Sequence, residues 1–381
     1  MIHFRLLPLA LALGLSTLPL LAQIVPPGKV RVPDDEKPSQ PFVWSERRLL
    51  TAPELFDAPD EWVDRSLQWV DFILANYHPS IPEHPLRRAA LIRLDDILHL
   101  ESAPRKELVQ KFYVSRLRRA IEEIEQTKVP SGMRIWKLYN CGFLVRTPTV
   151  SYVFDIVPGL SIPGFAVPPE LMERLVKQAD AHFISHFHND HANQSVVRMF
   201  LAQNKPVIAA EGLWKNLPEF ASKLIYPQRS TEVVHSVPVR GGSQKLTFVA
   251  YPGHQGAPVL NNLHLVISPE GYSVMQTGDQ WNDEDKPGSD FDWIAQIGRQ
   301  HSVDVLLPNA WSREVGRIVR GVNPQLVITS HENEMSHTVD HREDYTQTYT
   351  RFWGVPYPLA VMAWGESYHY QRAPAPQLGL R

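Results

Sequence analysis

Ser185-His186-Phe187-His188-Asn189-Asp190-His191 puts three histidines and an aspartate into six residues, directly after the apolar run His182-Phe183-Ile184. Such a run predicts a buried strand, and the polar cluster stands at its end. In an extended or turning backbone His186 and His188 project to the same side and can share one metal ion. Asp190 and His191, round the turn, reach a neighbouring position. A surface histidine cluster without function is the bland alternative, and chance alone produces this spacing in roughly one such chain in 700.

Composition sets the frame around this cluster. The chain has 381 residues, 43% of them hydrophobic and 21% charged, with a net charge of −3. It is too apolar to be wholly disordered and long enough for one large domain with an appendage, or two ordinary ones. Near-neutral charge without a long Lys/Arg run argues against a nucleic-acid partner. One cysteine, Cys141, excludes an internal disulfide framework and any multi-cysteine metal site, whereas 16 histidines supply the other common soft-metal ligand.

Residues 1–22 read as an export signal: Arg5, an apolar run from Leu6 to Leu15, and a cleavage position after Ala22, with no acidic residue before Asp34. The expectation is therefore an exported protein, periplasmic or secreted, with no stable membrane span after signal removal. Residues 23–45, with Pro26, Pro27, Pro33, Pro38 and Pro41, predict an extended linker or arm. Residues 46–130 form a helical segment. Its first helix uses Trp62, Leu67, Trp69, Val70, Ile73 and Leu74 and ends near His78-Pro79. Others are expected over 85–100 and 105–128, with Pro104 in the first turn of the last. Packing on the rest of the chain is the preferred role for this segment, ahead of a dimer face or a roof over the site. Residues 131–370 change to short apolar runs with Gly/Pro punctuation, the signature of an α/β domain, and 371–381 form a tail. Strands are expected at 134–138, 143–146, 152–156, 181–185, 206–209, 231–234, 246–251, 263–267, 272–276, 303–307 and 326–329. Helices are expected at 169–178, 193–203, 291–300 and 345–353.

The strand ends carry further motif elements. Pro252-Gly253-His254, Thr277-Gly278-Asp279 and Ser330-His331 each follow an expected strand, and Tyr152-Val153-Phe154-Asp155 ends another. Taken in order, these elements resemble the metallo-β-lactamase superfamily, whose hallmark is His-x-His-x-Asp-His followed by His, Asp and His. The resemblance covers about residues 133–370 and is similar in pattern to the branch with ascorbate-phosphate lactonase and phospholipid-cleaving phosphodiesterases. It implies an αββα four-layer sandwich with, here, an N-terminal helical extension. It implies metal ligation by His186, His188 and His254 at one position and by Asp190, His191 and His331 at the other, with Asp279 bridging. Asp190 and Asp279 are the residues expected to take part in catalysis, and Asp155 to orient a ligand histidine from behind.

That set implies a dinuclear hydrolase in which a metal-bridging hydroxide attacks an ester, lactone or phosphodiester bond. The cofactors are two divalent ions, with zinc as default and manganese or iron compatible with the ligands. The substrate is a small or lipid-like molecule. A metallo-β-lactamase, a mononuclear iron oxygen-using relative and a non-catalytic metal-binding protein stay open as alternatives. Plainer readings apply elsewhere: His182 and Cys141 packed in the core, His337 and His341 in a solvated loop, Trp281 a substrate wall or a core cap. His264 is divided evenly between a structural role and the cleft. Asp283, Glu284, Asp285 and Asp290 are read as an acidic surface loop.

Overall fold

The structure, a computed structural model, describes residues 58–160, 162–256, 258–281 and 289–372. The export signal, the Pro-rich arm, the acidic stretch Asp283–Asp285 and most of the 371–381 tail lie outside them. Two sheets face each other. The first has strands β1 (Met133–Lys137), β2 (Phe143–Arg146), β3 (Ser151–Phe154), β4 (Ala181–Phe183), β5 (Val207–Ile208) and β13 (Ser367–Tyr370), ordered β13-β1-β2-β3-β4-β5. The second has β6 (His235–Val239), β7 (Gln244–Gln255), β8 (Val259–Ile267), β9 (Ser273–Gln276), β10 (Val305–Leu307), β11 (Leu326–Ile328) and β12 (Leu359–Ala360), ordered β12-β11-β10-β9-β8-β7-β6.

Alternation along the strands builds three apolar layers from these sheets. Ile135, Phe143, Val145, Phe154 and Phe183 of the first sheet meet Leu246, Phe248, Val274, Leu307 and Ile328 of the second in a dry inter-sheet core. The opposite face of the first sheet, with Trp136, Leu144 and Val153, receives helices α1 (Asp60–Asn76), α2 (Pro85–Leu98), α3 (Glu107–Gln126), α4 (Pro169–Gln178) and α5 (Gln194–Ala202). The outer face of the second, with Val249, Leu265, Leu306 and Val327, receives α7 (Asp290–Gln300) and α8 (Val315–Val322). Two short helices, α6 (Pro218–Ala221) and α9 (Tyr345–Arg351), sit in the connections. The result is the four-layer αββα sandwich with an N-terminal helical extension.

The extension forms part of the helix layer over the first sheet. Val63, Leu67, Val70, Ile73 and Leu74 of α1 are buried, and α3 contributes Phe112, Leu117, Ile121 and Ile124. Trp69 does not join this stripe; it is 40% exposed, and Val63 takes the inward position instead. A buried ion pair fastens the layer: Arg87 of α2 donates to both carboxylate oxygens of Glu366 and to the carbonyl of Val361 at 2.7 Å. Removing one partner of such a pair strands a buried charge and costs on the order of 3–5 kcal/mol.

Most expected elements form within two residues of their expected bounds. The strand expected at 231–234 does not form; β6 begins at His235. Its inward residues are Val237 and Val239, on either side of Pro238. Pro238 is tolerated because β6 is an edge strand, bonded only to β7. Pro104 lies in a separate 3-10 turn, Ala103–Arg105, one residue short of the α3 N-cap. Four elements were not anticipated, β12, β13, α6 and α8.

Candidate metal centre

The chemistry-bearing residues sit at one end of the sandwich, where strands stop and the chain turns. Asp155 follows β3 with φ of 42°, a left-handed turn that swings its carboxylate beneath the β4 end. There one oxygen accepts the Ser185 N–H at 2.7 Å, and the other accepts Ser185 Oγ at 2.7 Å, Gln276 Nε2 at 2.9 Å and His191 Nδ1 at 2.9 Å. Gly278 turns the chain after β9 with φ of 50°, and a Cβ there would lie 2.5 Å from Cβ of Ser185 and closer still to the Asn261 side chain. Glycine is required at this close approach, and it delivers Asp279 to the rim. His331 follows β11, also with a positive φ, 72°.

These turns bring six of the seven expected ligands together in two groups that share Asp279. Donor atoms of Asp190, His191, Asp279 and His331 all lie within 4.8 Å of one another, and so do those of His186, His188 and Asp279. His191 Nε2 stands 3.0 Å from Asp190 and 3.3 Å from Asp279; His331 Nε2 stands 3.3 Å from Asp279 and 3.6 Å from Asp190. His254, at the end of β7, is outside both groups, and its Nδ1 faces the Asp290 carboxylate at 3.1 Å.

The donor set fits a metal on the structure's own terms. His186, His191 and His331 are fully buried, and among the described residues their Nε2 atoms make no aligned hydrogen bond and face only the aspartate carboxylates. A buried orphan nitrogen is costly unless a further group completes it. Their other ring nitrogens are occupied. His191 Nδ1 donates to Asp155, His331 Nδ1 to Glu343 at 3.1 Å, and His186 Nδ1 to Ser185 Oγ at 3.0 Å, which relays to Asp155. Donation from Nδ1 fixes the ring orientation and turns Nε2 into the cluster, which is how ligand histidines are held. The carboxylates are held as well: Asn140 donates to Asp190 at 2.7 Å, and Asn309 and Gln255 donate to Asp279 at 2.8 and 3.0 Å.

Without ions the groups hold one another's charges. Burial would push the carboxyls of Asp190 and Asp279 up, but His191 and His331 outweigh it and keep both well below the usual carboxylate range. Burial likewise opposes charge on His191 and His331, and the two aspartates overcome it and hold both imidazoles well above their ordinary value. His186 goes the other way, pushed well down by burial and by its neighbour His191.

The plainer readings also resolve. His182 is buried in β4, accepts the Ile156 N–H at its Nε2, and burial takes it down to about 3. His264 is buried with Nε2 against the Ile184 carbonyl at 3.2 Å, so its role is structural. The Cys141 thiol is buried and pushed up to about 12 by that burial, unsuited to a nucleophile. Asp290 is a correction: it begins α7 and is mostly buried, where it meets His254, Gln280 Nε2 at 2.6 Å and Trp293 Nε1 at 3.1 Å. Glu343 and Asn309 were not anticipated. Asn309 stands two residues past β10, so its strand-end position was a usable signal; Glu343 lies in a polar loop and offered none.

The N-terminal helices reach this loop. Asp95 of α2 accepts the N–H groups of Tyr345 and Thr346 at 2.9 and 3.1 Å, and Arg342 donates to the carbonyls of Leu98 and Leu100. The segment carrying Glu343 is thus clamped from below by the helical layer.

No protein-family model matches the chain, and no curated protein matches it. Solved structures do. Igni18, described as a novel metallo hydrolase from the archaeon Ignicoccus hospitalis, shares 15% identity at a TM-score of 0.49 over 64% of this chain and all of its own. A possible metal-dependent hydrolase from Veillonella parvula shares 13% at 0.45 over 63% of this chain and all of its own. YhfI from Bacillus subtilis, described as a metallo-β-lactamase fold protein, shares 14% at 0.40 over 63% of this chain and all of its own. The chain thus has a four-layer αββα architecture, with a candidate metal centre at the strand-end rim.

Proposed function

We propose that the protein is an exported metal-dependent hydrolase that holds two divalent ions, zinc by default, and cleaves an ester, lactone or phosphodiester bond. The observation that carries this reading is the convergence of three buried Nε2 atoms on two ionised carboxylates. Asp190, His191 and His331 would hold one ion and His186 and His188 the other, with Asp279 shared. His254 is prepared in the same way as the others, since Asp290 holds its Nδ1, and it would complete the second set by turning its Nε2 inward. Bound there, divalent ions supply Lewis acidity toward a carbonyl or phosphoryl oxygen and lower the pKa of water into the neutral range.

The protein's own side chains do the positioning. Asp155 fixes His191 directly and His186 through Ser185, so one carboxylate orients a ligand in each group. Asn140, Asn309 and Gln255 fix the carboxylate rotamers, which leaves little to reorganise when an ion or substrate arrives. Beside Asp190 opens a cleft of about 590 Å³, lined by Leu160, Ile162, Asn189, Asn193 and Trp214, large enough for a small molecule. Export rests on the apolar stretch before Ala22 and on a thiol count that suits an oxidising compartment. No helix among the described residues is long and apolar enough to cross a membrane.

The test is metal analysis of the purified protein beside a panel of phosphodiester, lactone, thioester and β-lactam substrates, with and without chelator. The expected result is about two ions per chain and chelator-sensitive cleavage of one of the first three classes. One ion or none, with His186→Ala fully active, would overturn the dinuclear reading; cleavage of the β-lactam alone would overturn the proposed substrate classes.

A further inference from the structure

A second cleft, of about 490 Å³, opens beside the candidate metal centre and is walled by Trp281, Trp311 and Trp353, with Arg313, Arg320 and Arg351 around it. Trp311 divides the two sites. Its ring centroid is 5.9 Å from that of His331 on one side and 6.0 Å from that of Trp281 on the other. The turn that carries Trp311 is also tied to the centre, because Asn309 accepts the Trp311 N–H at 2.7 Å and donates to Asp279 at 2.8 Å. Arg351 donates to the Ala310 carbonyl on that turn at 2.9 Å. A molecule of ordinary metabolite size spans the distance from one site to the other.

The cleft gathers its arginines around one opening. Several exposed arginines elsewhere are neutralised: Arg119 by Asp71, Arg174 by Glu125, Arg198 by Glu219 and Arg240 by Asp180. Arg313 and Arg320 have no carboxylate partner among the described residues, and Glu314 is the one acidic residue in the lining. The α8 stripe Val315, Ile318, Val319 and Val322 is buried, which leaves Arg320 on the solvent side. Trp353 is 86% exposed, an unusual position for an indole. Guanidinium groups favour oxyanions, and indole faces stack on flat rings.

We infer that this cleft binds the non-reacting part of the substrate, and that this part is an anionic group, phosphate or carboxylate, attached to a planar ring. The inference rests on the hydrolase reading for the word substrate, while the binding itself needs no turnover. The test is a tryptophan-fluorescence titration of the full chain with adenosine monophosphate, which carries a phosphate and a planar base, with chelator present throughout so that the phosphate has no ion to meet. Adenosine and inorganic phosphate serve as the two half-probes.

Adenosine monophosphate should bind at least about 10-fold more tightly than either half-probe, as expected for one charge-assisted contact plus one stacked ring. Arg313→Gln with Arg320→Gln should weaken it about 10-fold or more, and the paired Lys substitutions should restore most of that loss. Trp353→Ala should weaken it several-fold. Affinity unchanged in the double Gln variant, or equal for adenosine and its monophosphate, overturns the inference. So does binding of the chain to anionic phospholipid vesicles, lost with the same substitutions, when the nucleotide does not bind; that result assigns the cleft to a membrane surface. Arginine-dependent nucleotide binding in a protein that cleaves nothing supports the cleft and sinks the hydrolase. Hydrolysis without such binding does the reverse.

Discussion

The two candidate ligand groups share Asp279 but differ in how tightly the fold holds them. In the group of Asp190, His191, Asp279 and His331, both imidazoles are fully buried and each Nδ1 is gripped by a carboxylate, Asp155 or Glu343. In the other, His186 is buried and held through Ser185, whereas His188 is half-buried with no ring hydrogen bond among the described residues. His254, its expected third member, is 37% exposed and stands apart. One group is held on every side by buried partners; the other is more open. Rigid placement lowers the cost of ordering side chains on binding, so the buried group should load first and hold tighter.

The largest break comes from emptying the buried group. His331→Ala leaves the Glu343, Asp190 and Asp279 carboxylates around a void and should lower affinity for the first ion by more than about 100-fold, beyond the range seen for outer partners. His188→Ala should leave the first ion bound and lose only the second. Counting ions per chain under competitive chelation checks this, and equal losses in the two variants would erase the distinction. Next come the holders: Glu343→Gln should weaken the first ion about 10–100-fold, and Asp290→Asn should weaken only the second by a similar factor. Asp290→Asn with unaltered stoichiometry and affinity would leave His254 outside the centre for good.

The same contrast explains what could be read without coordinates. His186, His188, Asp190 and His191 lie on one turn, so spacing brought them together, while Asp279 and His331, just after strands, were picked out by the order of motif elements that the resemblance implies. The holders were less legible. Asp290 looked like its acidic neighbours because nothing local tells a carboxylate facing His254 from one facing water. Glu343 meets His331 only because α2 clamps the intervening loop, a contact made through Asp95, some 250 residues away. In the fold, α4 was exact because Pro169 starts it and four apolar residues at helical spacing fill its inner face. β13 was missed for the opposite reason: Ser367-Tyr368-His369-Tyr370 carries little apolar pattern and becomes a strand by pairing with β1, far upstream. The strand expected at 231–234 forms instead as β6, which carries Pro238, and the edge position that tolerates a proline there is a tertiary fact.

Proton coupling sharpens the comparison further. In the ion-free protein Asp190 and Asp279 overcome burial and keep His191 and His331 protonated above their ordinary range, while burial keeps His186 neutral. An ion entering the buried group must expel protons, and one entering the other need not. Affinity at the first site should therefore climb with pH through the neutral range more steeply than at the second. Calorimetric titration in two buffers of different ionisation enthalpy reads the protons released. For the ion-free fold the raised imidazoles add stability that is complete below their unfolded value and lost as pH rises through the folded one. Chelated protein should thus lose stability on the alkaline side, and loaded protein should not.

The smallest effect belongs to a histidine the site does not use. His182 lies in β4 behind the cluster, buried with its ring against Phe200, and burial, helped by its neighbour His264, takes it down to about 3. Its folded value lies below its unfolded value near 6.5, so the unfolded chain takes up the extra proton. Its contribution to stability is complete above that unfolded value and declines as pH falls toward the folded one, by at most about 1.4 kcal/mol per pH unit. His182→Gln keeps an acceptor for the Ile156 N–H and removes the titration, so its denaturant midpoint should fall less steeply with acid than that of the parent. An unchanged acid slope would mean that the ring takes its proton inside the fold, and the wall behind Asp155 would then be wetter than its packing shows.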